Sequence, residues 1–309
     1  MKYALLFPGQ GSQAVGMLAK HAASDLEPTF REASDVLGWD VARLIAEGPA
    51  EELNRTERTQ PVLLAASIAL WRVWQRQAPP SPSALAGHSL GEYSALVAAG
   101  SLAFADALKL VELRGQLMQA AVPAGTGGMA AVLGLDDDKI EALCKSYPGS
   151  EVLEPVNYNS PGQVVVAGQT AALDWLQANG KANGAKLIKR LPVSVPSHCS
   201  LMIEAAEKLA AQLDQTAVQP PAIPVFHNLD ALPRTSPDEI RSALRQQLYR
   251  PVRWTQTIRA LSQDGVGAFF ECGPGSVLTG LNKRIVDGAQ SQALEDPAGL
   301  EPALTLARQ

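Results

Sequence analysis

Histidine and cysteine are scarce in this chain, with four of the first and three of the second among 309 residues. Cys144, Cys199 and Cys272 are odd in number, widely separated and without C-x-x-C spacing. That pattern excludes a disulfide framework and a cysteine zinc site, and leaves reduced core thiols. A basic excess is missing as well: 26 Lys and Arg against 31 Asp and Glu give a formal charge of −5. No basic run alternates with aromatics, so nucleic acid finds no electrostatic footprint. Long apolar runs are also absent. Met1 to Phe7 is apolar, but Pro8-Gly9-Gln10-Gly11 ends it too soon for a signal peptide. No later stretch approaches the roughly 20 residues of a membrane span. The expectation is a cytoplasmic monomer with no membrane partner. Internal repeats and low-complexity tracts are lacking too. What is present, 46% hydrophobic and 18% charged residues, describes a globular chain with material for a large core or two domains.

Strand and helix signals alternate from the start. Residues 3 to 7 read as a strand, Pro61 to Trp71 as a strongly apolar and buried helix, and Pro79-Pro80-Ser81-Pro82 as a break before a second short strand. The rhythm changes after Pro123-Ala124-Gly125-Thr126-Gly127-Gly128. From Met129 to Leu191 the order is β-α-β-β-α-β, with Asn159-Ser160-Pro161-Gly162 as the central hairpin turn. After Ser197 the α/β rhythm resumes: a helix to about Leu213, a strand at Ile223 to Phe226, helices near 237–248 and 253–263, a strand at Val266 to Glu271, and a last helix after Gly273-Pro274-Gly275. The predicted architecture is α/β with a parallel sheet in residues 1–123 and 197–309, and an inserted ferredoxin-like (βαββαβ) small domain in residues 124–196.

Gly87-His88-Ser89-Leu90-Gly91 carries the chemistry. A chain that leaves a buried strand and enters a helix within one residue holds Ser89 in a strained conformation with its hydroxyl exposed, the nucleophile elbow of an α/β-hydrolase-like core. Small neighbours are required on both sides. The helix beginning near Leu90 aims free N–H groups and its positive end at a developing oxyanion. Pro8-Gly9-Gln10-Gly11-Ser12-Gln13 follows the first strand, where α/β folds place ligand loops. Met17 stands where a P-loop lysine must be, and Ala14 breaks the dinucleotide spacing, so phosphate binding is excluded. Gln10 in this loop is positioned to supply a second oxyanion donor; a tight structural turn is the alternative.

A serine hydroxyl needs a base, and four histidines compete. His21 reads as part of an early polar helix, and His88 adjoins Ser89 on a turn where neighbouring side chains point apart. His227 ends a strand. His198 follows Pro192 to Ser197 at the re-entry from the small domain, a favoured place for a site. His198 is the leading base, and no carboxylate stands out as a third member. Arg114 is the other anomaly. In the helix Ala105 to Ala121 it lies in the middle of the apolar stripe of Ala107, Leu110, Val111, Leu117, Met118 and Ala121. An inward guanidinium requires an anion, either a protein Asp or Glu or a substrate carboxylate.

Phe7-Pro8-Gly9-Gln10-Gly11-Ser12-Gln13, Gly87-His88-Ser89-Leu90-Gly91-Glu92, Arg114, Val195-Pro196-Ser197-His198, Gln247-Leu248-Tyr249 and Gly273-Pro274-Gly275 together resemble the malonyl-CoA:acyl carrier protein transacylases of bacterial fatty-acid synthesis. The resemblance spans essentially the whole chain. It implies that Ser89 carries a malonyl ester and that His198 is the base. It further implies that Gln10 and the Leu90 amide form the oxyanion hole, that Arg114 clamps the malonyl carboxylate, and that the Gln247 main-chain carbonyl orients the imidazole. The partners implied are malonyl-CoA and an acyl carrier protein, with no cofactor or metal of the enzyme's own. Lys186, Lys189 and Arg190, or Arg250 and Arg253, are the basic groups available to an acidic carrier; a solvated face is the plainer reading of each. A serine hydrolase on the same scaffold and a non-catalytic docking subunit are the competing functions.

Overall fold

The apolar pentapeptide Tyr3–Phe7 forms the first strand, β1, and all five of its residues are buried, as a parallel sheet covered by helices on both faces demands. The computed structural model describes residues 1–123, 125–193 and 195–309. Among these, the remaining strands are β2 (Ala84–Gly87), β3 (Gly127–Leu133), β4 (Leu153–Ser160), β5 (Gln163–Gln169), β6 (Leu187–Arg190), β7 (Val225–Phe226), β8 (Ala268–Glu271) and β9 (Gln290–Ala293). They form two sheets. The first has the order β7-β2-β1-β8-β9, with parallel pairing throughout.

The second sheet has the order β4-β5-β3-β6 and is antiparallel. With helices Asp137–Lys145 and Thr170–Asn179 between its strands, this is the ferredoxin-like arrangement that the sequence predicts. Alternation along β5 sorts its two faces. Val164 and Val166 pack with Ile140, Leu173 and Leu176 beneath the helices, whereas Val165 and Ala167 join Met129, Val156 and Cys199 on the other side. A bulge at Val156, between the paired residues Pro155 and Asn157, re-phases β4.

Three elements differ from the sequence reading. The long apolar helix runs Thr56–Arg76, so Pro61 lies inside it and Gln60 is a buried helical residue. A proline normally marks a first turn, which is why the start is mistaken from sequence. His21 precedes the helix Ala23–Leu37 and hydrogen-bonds the Glu295 carbonyl through Nε2 at 2.9 Å. Beyond the helix Val277–Ile285 the chain adds β9 and the helix Leu300–Ala307. Gln290-Ser291-Gln292-Ala293 carries no apolar run and is a strand only because β8 offers it an edge. The three cysteines are free and buried; burial pushes the Cys144 and Cys199 thiols up to about 12.

Candidate active site

The elbow forms where β2 ends. Ser89 has φ +53°, a left-handed conformation that a non-glycine residue adopts only under constraint. A Cβ on Gly91 would overlap the Phe7 carbonyl oxygen, and one on Gly87 would overlap the backbone of Gly91, so only glycine lets the turn pack against β1. Asn228 ties both sides of the bend: its Nδ2 donates to the Gly87 carbonyl at 2.6 Å, and its Oδ1 accepts from the Ser89 amide at 2.7 Å.

Ser89 Oγ lies 2.7 Å from His198 Nε2. His198 Nδ1 lies 2.7 Å from the Gln247 main-chain oxygen, which only accepts, so Nδ1 carries the proton and Nε2 is the free base. His198 has φ +64° and is fixed further by its amide on the Leu248 carbonyl. Burial first, and the Arg114 guanidinium second, push its pKa down to about 3. The imidazole therefore stands neutral, with Nε2 unprotonated and facing the Ser89 hydroxyl.

The other histidines are engaged elsewhere. His88 Nε2 meets Asn159 Oδ1 at 2.8 Å, and His227 Nδ1 meets Glu92 Oε1 at 2.7 Å.

Arg114, on the helix Phe104–Ala120, is 1% exposed. Its partners are amides. Nη1 donates to Gln60 Oε1 at 2.8 Å and Nη2 to Gln247 Oε1 at 3.1 Å, while Nη2 also reaches Ser89 Oγ at 3.3 Å. Nε has no partner among the described residues. The protein carboxylate that the sequence leaves open as its anion is not within ion-pair distance there. Burial lowers the Arg114 pKa without discharging a guanidinium.

These groups line a cavity of about 100 Å³ together with Gln10, Leu90, Met118, Met129, Asn157, Leu191, Val193, Val195 and Ser197. A second cleft, lined by Pro8 to Ser12, Asn157, Asn159, Val277 and Leu281, adjoins it and shares Gln10, His88, Asn157 and Leu191 with it. The Leu90 amide spends its hydrogen on no protein acceptor among the described residues, beside Ser89 at the entry to the helix Gly91–Ala98. All six residues singled out by the sequence thus converge, with Gln247 touching three of them. Gln60 and Asn228 escape the sequence reading, which also assigns no role to the Gln247 side chain or to Glu92, present there only as the end of the elbow motif. Only Gln60, a polar residue at the head of an apolar helix, offers the signal that exposes Arg114. Of the basic groups, Lys186 and Lys189 are exposed on or beside β6; Arg190 is tied to Asp174, and Arg250 and Arg253 lie over Tyr249 and Tyr158.

Fold and site together give the chain the layout of α/β enzymes that work through a serine on an elbow. The acyl transferase domain model matches residues 4–302. The malonyl CoA-acyl carrier protein transacylase of Escherichia coli K12 is 54% identical over 307 residues, covering 99% of each chain, and that of Bacillus subtilis is 42% identical over 306 residues, covering 98% of this chain and 96% of the other. Among solved structures, the Coxiella burnetii malonyl CoA-acyl carrier protein transacylase superposes with a TM-score of 0.98 at 43% identity, covering 100% and 98% of the two chains. A malonyl-transacylase in complex with its type II PKS acyl-carrier protein gives 0.97 at 52% identity, covering 99% and 100%. The chain belongs to the acyl transferase domain family, and within it to the malonyl CoA-acyl carrier protein transacylases.

Proposed function

We propose that this protein transfers a malonyl group from CoA to the phosphopantetheine thiol of an acyl carrier protein in fatty-acid synthesis, in two steps through a malonyl ester on Ser89. In the first, Ser89 Oγ attacks the thioester carbonyl while its proton passes to His198 Nε2. The Leu90 N–H and Gln10 stabilise the oxyanion. The tetrahedral adduct collapses, the C–S bond breaks, and the imidazolium returns its proton to the departing CoA sulfur. In the second, the carrier thiol loses its proton to His198 and attacks the ester. The serine then leaves with that proton. On this reading the bond changes use Ser89, His198 and the carrier's own thiol, with no cofactor of the enzyme's own.

One observation carries the reading: base and buried cation meet at a single atom, with His198 Nε2 at 2.7 Å and Arg114 Nη2 at 3.3 Å from Ser89 Oγ. A cation held so close to the nucleophile by neutral amides selects an acyl group that brings its own carboxylate. Removing one side of a buried charge pair costs about 3 kcal/mol or more, on the order of 100-fold. The test is intact-mass analysis after malonyl-CoA without carrier. A persistent malonyl adduct on Ser89 is expected, and in Arg114→Met malonyl loading falls about 100-fold while acetyl loading does not. Steady malonate release with no adduct would instead assign a hydrolase.

A further inference from the structure

Glu92 is fully buried one turn after the nucleophile, and no lysine or arginine contacts it within ion-pair distance among the described residues. Three N–H donors converge on it instead: His227 Nδ1 at 2.7 Å on Oε1, and the Asn228 amide at 2.8 Å and Gln247 Nε2 at 3.1 Å on Oε2. Gln247 Nε2 also donates to the Ser89 carbonyl at 2.9 Å. Both hydrogens of that amide therefore point at acceptors, the Ser89 carbonyl and Glu92 Oε2. The opposite end, Oε1, is left to face Arg114 Nη2.

From this chain of contacts we propose that Glu92 is a positioning residue for donor selection: acting through the Gln247 carboxamide, it holds Arg114 beside Ser89 with N–H groups still open to a substrate carboxylate. This rests on the malonyl-serine reading above. The amide spacer matters physically. A carboxylate directly on Arg114 would occupy the guanidinium and close it to substrate, whereas an acceptor one amide away fixes which end of the Gln247 carboxamide faces the guanidinium and leaves Nε unspent. An amide turned over would point an N–H at the guanidinium, donor against donor. Asn228, whose amide is anchored on the same Glu92 oxygen, links this fixture to the elbow.

The test compares two reactions of Ser89: loading from malonyl-CoA, and labelling by a neutral fluorophosphonate that needs no carboxylate clamp. Glu92→Met keeps the volume and accepts nothing. Its ratio of malonyl loading to neutral labelling should fall about tenfold, through KM more than kcat, and Glu92→Gln, which restores an acceptor oxygen, should recover to within about threefold. Should Glu92→Met not fold, Glu92→Gln carries the test alone: its ratio of malonyl loading to neutral labelling should fall up to about threefold, again through KM more than kcat. Equal loss of both reactions, or an unchanged malonyl KM, overturns the proposal. Failure of the parent reading is seen separately, as a wild-type protein that forms no malonyl adduct.

Discussion

The two sheets contribute to one cleft in different ways. The centre of the parallel sheet is sealed on both faces: every residue of β1, β2 and β8 is buried. Ser89 and Gln10 follow the ends of β2 and β1, and His198, Arg114 and Gln247 also come from segments outside the four-stranded sheet. The antiparallel sheet has one face under its own helices, and with the other it contributes Met129 and Asn157 to the cavity wall and Asn159 to His88. Reacting atoms thus sit on backbone that cannot shift without disturbing a dry core, and the wall comes from a sheet with a separate core. Geometry needed to a few tenths of an ångström is assigned to the more deeply packed region.

Ser89→Ala breaks the comparison most sharply. The acyl adduct should vanish and transfer fall by a factor of about 10⁴ or more, with thermal stability nearly unchanged, measured by carrier loading and a melting curve. Next come two glycines, one in each region. Gly91→Ala drives a methyl into the Phe7 carbonyl, backbone against backbone, and should cost about 3 kcal/mol or more in a denaturant titration. Gly162→Ala, at the turn between β4 and β5, has an open surround and a φ of +73°, so only the left-handed backbone is paid in strain, about 1 kcal/mol. Equal costs would mean that the two regions are equally rigid.

Acid should affect the parallel-sheet region in a defined direction. His198 is held down to about 3, by burial and then by Arg114, so labelling of Ser89 by a neutral probe should stay level as pH falls through the usual imidazole range near ~6.5. Arg114→Met removes the second cause and should move the acid limb upward without restoring the ordinary value. Stability follows the same sign. The folded pKa lies below the unfolded one, so the unfolded chain binds the proton first; stability is complete above about 6.5 and declines as pH falls toward 3. His88, also depressed by burial, adds in the same sense. A labelling rate that halves near 6.5 in the wild type would mean a solvated base.

Much of this is legible in the sequence because the relevant signals are local. The elbow needs two glycines around a serine between strand and helix, and an arginine on an apolar stripe is visible from the 3.6-residue period alone. The βαββαβ order is local too, each element being marked by its own pattern. Gln60 stayed hidden because Pro61 suggested a helix start one turn too late. Asn228 carries no pattern and Glu92 only closes the elbow motif: their contacts exist because β7 lies beside β2, bringing Asn228 within 2.7 Å of Ser89 across 139 positions of sequence. β9 is a strand by virtue of its neighbour rather than its composition.

The contact between His88 and Asn159 gives the finest division between the regions, since it is a direct side-chain bond from the wall sheet to the elbow. Asn159→Ala removes an acceptor from an imidazole that also packs against Trp254 at 5.5 Å. The loss of one partly buried hydrogen bond should cost about 1 kcal/mol of stability. Ser89 keeps its own ties, to Asn228 through its amide and to Gln247 through its carbonyl, neither of which passes through β4. Neutral labelling should therefore remain within about twofold of wild type, well under 1 kcal/mol in the barrier. A larger fall would mean that the wall sheet helps to hold the nucleophile as well as to enclose it, and the boundary between rigid machinery and enclosing wall would then have to be drawn through β4 rather than at its edge.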